Sequence, residues 1–339
     1  MSECSDCATS SALRRKMLTN LSSLRYQTGL FAAAPQVKTG YHRVWIRDNI
    51  YALLGFEAQG DYATSVKTIH ALLDILKKYE YKIDWMIKQP QPKDAYRYIH
   101  PRYEPHGTEI PEPWGNKQND AIGALMWKIG DLDKKEKFAW REGDREIVQK
   151  LVHYLQAIEY WHDCDNGMWE EAEEVHASSI GACLAGLISV QHIVHVPLHL
   201  IAHGEHALRT LLPRESTTKQ ADLALLSLIW PYKVVTQKEN EQILKNVEEK
   251  LVREKGIIRY FGDSYYHNGK EAEWTMGFPW LAIIYKELGE IHKYHFYLNK
   301  AKNALNEQGE MPELYFGGTS AHNENTPLAW AVSLMEAAK

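Results

Sequence analysis

The chain has 339 residues, 45% hydrophobic and 24% charged, with a net charge of −5. That length buries a large core in one large domain or two ordinary ones, and the balance is that of a soluble globular protein. The charge, with no basic run, gives nucleic acid and anionic membranes nothing to hold, and no window reaches the eighteen or more apolar residues of a membrane span.

The N-terminal stretch MSECSDCATSSALRRKM has no apolar core of the kind a signal peptide needs. Four cysteines in such a length fit a reducing cytoplasm, which is the expected location. Cys4 and Cys7 form a CxxC, but no second pair completes a zinc site, so residues 1–10 read as a tail. Eleven tryptophans and nineteen tyrosines are an aromatic-rich inventory, suited to flat amphipathic ligands such as sugars.

Apolar spacing then predicts helices almost throughout. Tyr62, Val66, Ile69, Leu73 and Leu76 step along one face, and Ile243, Leu244, Val247 and Leu251 form another stripe. With caps and breakers included, helices are expected near 11–27, 48–59, 61–80, 117–131, 144–162, 177–191, 197–211, 216–229, 237–254, 277–288, 290–307 and 325–338. The best short strands are YHRVWI at 41–46 and GIIRYF at 256–261. About twelve helices with no linker argue for one all-α domain covering residues 1–339.

The connections are unequal. Segments 28–47, 89–116, 163–176, 255–276 and 308–324 are long and aromatic, and they alternate with tight turns such as Gly60 and Gly289. A ring of helical hairpins produces that alternation, and long loops on a rigid scaffold are where function sits.

Each long loop sets a charged group beside a large ring. Arg47 and Asp48 follow Trp45; Asp48 could simply cap a helix, or the pair could form a polar fork for vicinal hydroxyls. Trp114 and Gly115 precede Gln118, Asn119 and Asp120. DNGMWEEAEEVHASS at 165–179 crowds four carboxylates after Trp169. Arg259, Asp263, Tyr265, Tyr266 and Trp280 share the fourth loop region, and Glu313 sits behind a proline before Tyr315 and Phe316. Hydrolysis of a glycosidic bond needs two carboxyl groups flanking the anomeric carbon, one of them kept protonated by an apolar wall. Glu170, directly after Trp169, suits the acid, and Glu313 is the natural partner that activates water.

The ordered motifs HRVWIRDN, WGNKQNDA, GMWEEAEEVHASS, GDSYY with FPW, MPELY and LAW resemble glycoside hydrolase family 15, the glucoamylases. RVWIRDNIYAL, HASSIGACLAGL, LLPRESTTKQADLALLSLI and MPELY are closer still to the homologous N-terminal domain of the phosphorylase kinase alpha and beta subunits. The resemblance runs from about residue 20 to 335. It implies an (α/α)6 barrel of six helical hairpins and hydrolysis with inversion, with the carboxyls roughly 6.5–9.5 Å apart. Glu170 matches the general acid and Glu313 the general base. Arg47 and Asp48 match the pair holding the non-reducing glucose, Trp114 the aromatic lid over the acid, and Glu171 and Arg259 polar contacts around the scissile bond. Trp169, Trp280 and Tyr315 are expected to wall the pocket. This chemistry needs no metal or organic cofactor, and the implied substrate is a small α-linked gluco-oligosaccharide.

A glucan-sensing domain without turnover and a phosphorolytic enzyme of the same fold stay open as alternatives. His199, His203 and His206 share a helix face but read as its polar flank rather than a metal site, Pro197 separating them from His192 and His195. DCDNG at 163–167 lacks the glycine position and the twelfth-position Glu of a calcium loop.

Overall fold

Where the stripes predict helices, helices form. In a computed structural model describing residues 15–92, 94–112 and 114–339, residues 15–23 form α1. There follow α2 (Ile46–Glu57), α3 (Tyr62–Lys78), α4 (Glu80–Lys88), α5 (Asn119–Lys134), α6 (Asp144–Ala157) and α7 (Ala177–Val190). The second half contributes α8 (Leu198–Leu211), α9 (Leu226–Ile229), α10 (Gln237–Lys250), α11 (Gly277–Glu287), α12 (Ile291–Asn303) and α13 (Ala329–Ala337). The Cys4–Cys7 pair and the 1–10 tail lie outside the described residues.

Six of these close an inner ring: α2 packs on α5, α5 on α7, α7 on α9, α9 on α11, α11 on α13, and α13 back on α2. Their composition explains the position. Residues 277–285 of α11 are buried without interruption, as are 177–187 of α7, which suits helices with neighbours on every side. The outer helices are striped instead. In α10 only Ile243, Leu244 and Val247 are buried, and its start is fixed by a capping box between Thr236 and Glu239. Outer helices α3, α8, α10 and α12 pack against α2, α7, α9 and α11. This is the (α/α)6 barrel.

The closest helix pair is α5 and α7. A Cβ on Gly123 would lie 2.3 Å from the Ala182 backbone, and one on Gly130 would lie 2.4 Å from the Ser189 carbonyl oxygen. Only the hydrogen side chain lets these backbones meet, which draws together the two loops entering α5 and α7.

Several expectations need correction. The segment after residue 80 carries a helix, α4, with Lys82, Ile83 and Met86 buried. The expected 216–229 helix shrinks to a 3-10 turn, Leu223–Leu225, and the short α9. Asp222 there accepts the Ala224 N–H at 2.7 Å, which starts the turn late. The 41–46 strand reduces to β1 (Val44–Trp45), antiparallel to β2 (Arg102–Tyr103). The 256–261 segment makes only isolated bridges, through Ile257 to Val252 and Trp274 and through Tyr260 to Asp222. A second ribbon pairs β3 (Glu273–Trp274) with β4 (Leu314–Tyr315). Both ribbons steer the long loops over one end of the barrel.

Candidate active site

A cavity of about 780 Å³ opens among these loops, lined by residues from all five. Arg47, Asp48, Trp114, Trp169, Glu170, Glu171, Arg259 and Glu313 all line it. Trp280 and Tyr315 do not, which corrects the expectation that they wall the pocket. Trp280 is fully buried in the inner helix α11, where its indole N–H reaches the Trp230 carbonyl at 2.7 Å. Tyr315 is buried in β4 and donates its hydroxyl to the Ala304 carbonyl. Buried Trp and Tyr seek partners for their polar tips, and both find them in the core. The wall is made by Trp45, Trp274 and Trp330 with Tyr41, Tyr265 and Tyr266.

Glu170 stands on a tight turn. Its N–H reaches the Gly167 carbonyl at 3.2 Å, and the Glu171 N–H reaches the Asn166 carbonyl at 2.9 Å. The turn puts Glu170 at φ 62°, a left-handed conformation rare for a residue with a side chain. Such strain concentrates where a side chain must be aimed. Glu170 Oε1 accepts Arg47 Nη2 at 3.0 Å, and its Oε2 accepts the Trp114 indole N–H at 2.5 Å. The ring beside this carboxylate is therefore Trp114. Trp169 turns away: its N–H goes to Asp222 at 2.8 Å and its ring meets Trp274 and Trp330.

Arg47 is held from behind by Gln118 and Asp120, each 3.0 Å from Nη1. Asp48 is buried beside it. Burial, offset in part by Arg47 and reinforced by Glu170 and Glu313, pushes its pKa up to about 7.

Glu171 belongs to a different network. Arg259 Nη2 donates to it at 2.9 Å, Lys219 Nζ at 2.8 Å, and the Tyr260 hydroxyl touches both its oxygens at 2.8 Å. Arg259 is in turn locked by Asp263, with contacts of 2.7 and 2.6 Å.

Glu313 is 1% exposed. Tyr41 donates to its Oε1 at 2.6 Å, while the Asn325 side chain donates to Oε2 at 2.8 Å, joined there by Asn323. Tyr265 bonds the Tyr41 hydroxyl at 2.8 Å. Burial raises the Glu313 pKa above the ordinary carboxylate value, against the pull of these donors. Two carboxylates with separate partners therefore share one aromatic cavity, with Asp48 feeling both.

Sequence reasoning missed Tyr41, Asn323 and Asn325 as partners of Glu313. HNEN at 322–325, which sets two asparagines shortly after Glu313, was the available signal. Among the described residues no group of three or more His, Cys, Asp or Glu converges as a metal site would require. No helix there is long and apolar enough to cross a membrane.

Residues 9–196 match the family described as Glycosyl hydrolases family 15. The chain is 25% identical over 281 residues to the phosphorylase b kinase regulatory subunit alpha, skeletal muscle isoform, of Oryctolagus cuniculus, covering 70% of this chain and 22% of that protein. It is 26% identical over 264 residues to the probable phosphorylase b kinase regulatory subunit alpha of Caenorhabditis elegans, covering 65% and 21%. The chain thus spans about a fifth of the length of these curated relatives. In fold it is similar to a wild-type glycosidase, with TM-score 0.86, 18% identity, and 100% of this chain and 98% of that one covered. A bacterial glucoamylase complexed with acarbose gives TM-score 0.75 at 16% identity, over 96% of this chain and 54% of that one.

Proposed function

The chain belongs to glycoside hydrolase family 15, and from that premise we propose that it is an inverting, exo-acting hydrolase releasing glucose from α-linked gluco-oligosaccharides. On this reading residues 1–339 act as one catalytic domain. The observation that carries it is that Glu170 and Glu313, from loops far apart in the chain, line the same cavity with independent sets of donors.

Glu313 takes a proton from water as that water bonds to the anomeric carbon. Its raised pKa makes it a stronger base than an exposed carboxylate, and Tyr41, Asn323 and Asn325 keep it aimed. Glu170 delivers its proton to the glycosidic oxygen as the bond to the anomeric carbon breaks. The products are a β-configured glucose and the shortened alcohol, and the two carboxyl groups exchange protonation states. Arg47 and Asp48 hold glucose hydroxyls, while Glu171 and Arg259 contact the leaving sugar. Trp45, Trp114, Trp169, Trp274 and Trp330 give the sugar rings apolar faces to stack on. A walled cavity admits a chain end, which supports exo-action.

A glucan-binding regulatory domain without turnover is the second reading. It draws on the names of the matched relatives, which are regulatory subunits. Incubation with maltose, maltotriose, isomaltose, kojibiose, nigerose and trehalose separates the two readings. The hydrolase releases glucose from at least one, and Glu170→Gln and Glu313→Gln each lower the rate by about 10²–10⁴-fold while the fold persists. Binding without product favours the regulatory reading, and near-full activity in either variant contradicts the roles given.

A further inference from the structure

Arg102 is 3% exposed, yet among the described residues its buried Nε has no hydrogen-bond partner. Buried arginines are paired almost without exception, because an isolated charge loses its hydration with nothing in return. The ladder position opposite Trp45 puts Arg102 there. Its guanidinium lies 3.8 Å from the Trp114 ring centre and 5.4 Å from that of Trp45. Those rings satisfy the flat faces of the guanidinium and leave its N–H edge unused.

A second cation makes the arrangement costlier. Arg43 approaches from the same side, and burial together with Arg43 pushes the Arg102 pKa down. Both arginines bring an Nη1 to 3.9 Å from the point where a Cβ would sit on Gly40. Gly40, at φ +80°, has no side chain to fill that point, and its neighbours Thr39 and Tyr41 line the cavity. Arg43 spends Nε on Glu104 and Nη2 on Glu112, leaving Nη1 without a bond. Three carboxylates also act on Arg102, and each is already bonded elsewhere, Glu170 to Arg47 and Trp114, and Glu112 and Glu104 to Arg43.

We propose that Arg102 and Arg43 form an oxyanion subsite at the rim of the cavity, so that the preferred substrate is an α-glucoside whose leaving group carries a phosphate or carboxylate. The side follows from the roles proposed above: Glu170 bonds Arg47, assigned to the glucose, through one oxygen and Trp114, which stacks on Arg102, through the other. The inference therefore rests on the reading of Glu170 as the acid. A planar fork with a free edge, beside a second cation, matches an oxyanion and offers a neutral sugar little.

The test uses two matched pairs: maltobionate against maltitol, and maltose phosphorylated at O6 of its reducing glucose against maltose. Wild type is expected to favour at least one anionic member by about tenfold or more in kcat/KM, mainly through KM, the preference shrinking as salt rises. Which pair shows it identifies phosphate or carboxylate. Arg102→Gln should bring the ratio close to one, and Arg102→Lys should keep part of it. If wild type favours neither anion, or if Arg102→Gln slows all four substrates by one common factor, Arg102 only seats Trp114 and the proposal is overturned. Calorimetric binding of the same pairs to Glu313→Gln decides the question even if nothing is hydrolysed, so failure of the hydrolase reading stays distinct. Should Arg102→Gln not fold, the wild-type ratios at low and high salt decide alone.

Discussion

Trp114 and Glu170 are joined by an indole N–H that reaches the carboxylate across 2.5 Å, from a ring that is 41% exposed at the cavity rim. An exposed ring contributes little to the core, so this bond can be removed without unfolding the barrel. Trp114→Phe keeps the stacking on Arg102 and deletes the donor. It is expected to lower kcat/KM on maltose by about 10–100-fold, the cost of a hydrogen bond to a charged group, with Tm unchanged. An unaltered kcat/KM would show that the bond does not orient Glu170.

Tyr41 gives a prediction in pH. Its hydroxyl favours the ionised form of Glu313, whose pKa burial has already raised. A base must be ionised to work, so the acid limb of the pH–rate profile should lie above the ordinary carboxylate range. In Tyr41→Phe that limb should move to still higher pH, because a donor to the carboxylate is gone. A limb that stayed in place, or moved down, would remove Glu313 from the role of base.

His176 ties the loop carrying Glu170 to the barrel. Burial opposes its charge, but the Glu215 hydrogen bond and Asp165 outweigh burial and raise its pKa to about 9. A histidine with a folded pKa above its unfolded value of about 6.5 adds stability in full below that value and loses it as pH rises through the folded one. The contribution is on the order of 3 kcal/mol. Between pH 7 and 9.5, therefore, wild-type Tm should fall and His176→Gln, already less stable, should fall much less. Parallel curves would mean that His176 is not charged. The buried Asp48, Asp165 and Asp222, each raised to about 7, titrate mostly below this window.

Gly123 tests the packing. A methyl there would meet the Ala182 backbone at 2.3 Å, which no side-chain rotation relieves. Gly123→Ala should destabilise the protein by about 3 kcal/mol or more, and the loss should exceed that of Gly60→Ala, where nothing lies within 4 Å and only the left-handed φ of 79° is strained.

Much of this was legible in the sequence, and for physical reasons. Helical stripes such as Ile69, Leu73 and Leu76 report burial directly, so the helices followed from periodicity, while the ring of hairpins came from the alternation of long and short loops and from the family resemblance. Glu170 and Glu313 were legible because carboxylates beside Trp, Gly and Pro in long loops are poorly explained as solvated helix faces. The wall was not. Trp280 and Trp330 are both aromatics of inner helices, yet only Trp330 lines the cavity. That difference is set by helix rotation within the ring, which sequence spacing does not fix. Nor could spacing show that Trp169 would bond Asp222 and leave Trp114, from a different loop, beside Glu170. Arg102 was passed over because one arginine in a loop carries no signal until its partners are counted.

On the proposed mechanism Glu170 and Glu313 work from opposite sides of the anomeric carbon, with water between Glu313 and the sugar. Proton NMR of the first glucose released from the cleaved disaccharide tests it directly, before mutarotation mixes the anomers. β-Glucose is expected as the initial product; α-glucose would rule out inversion by this pair.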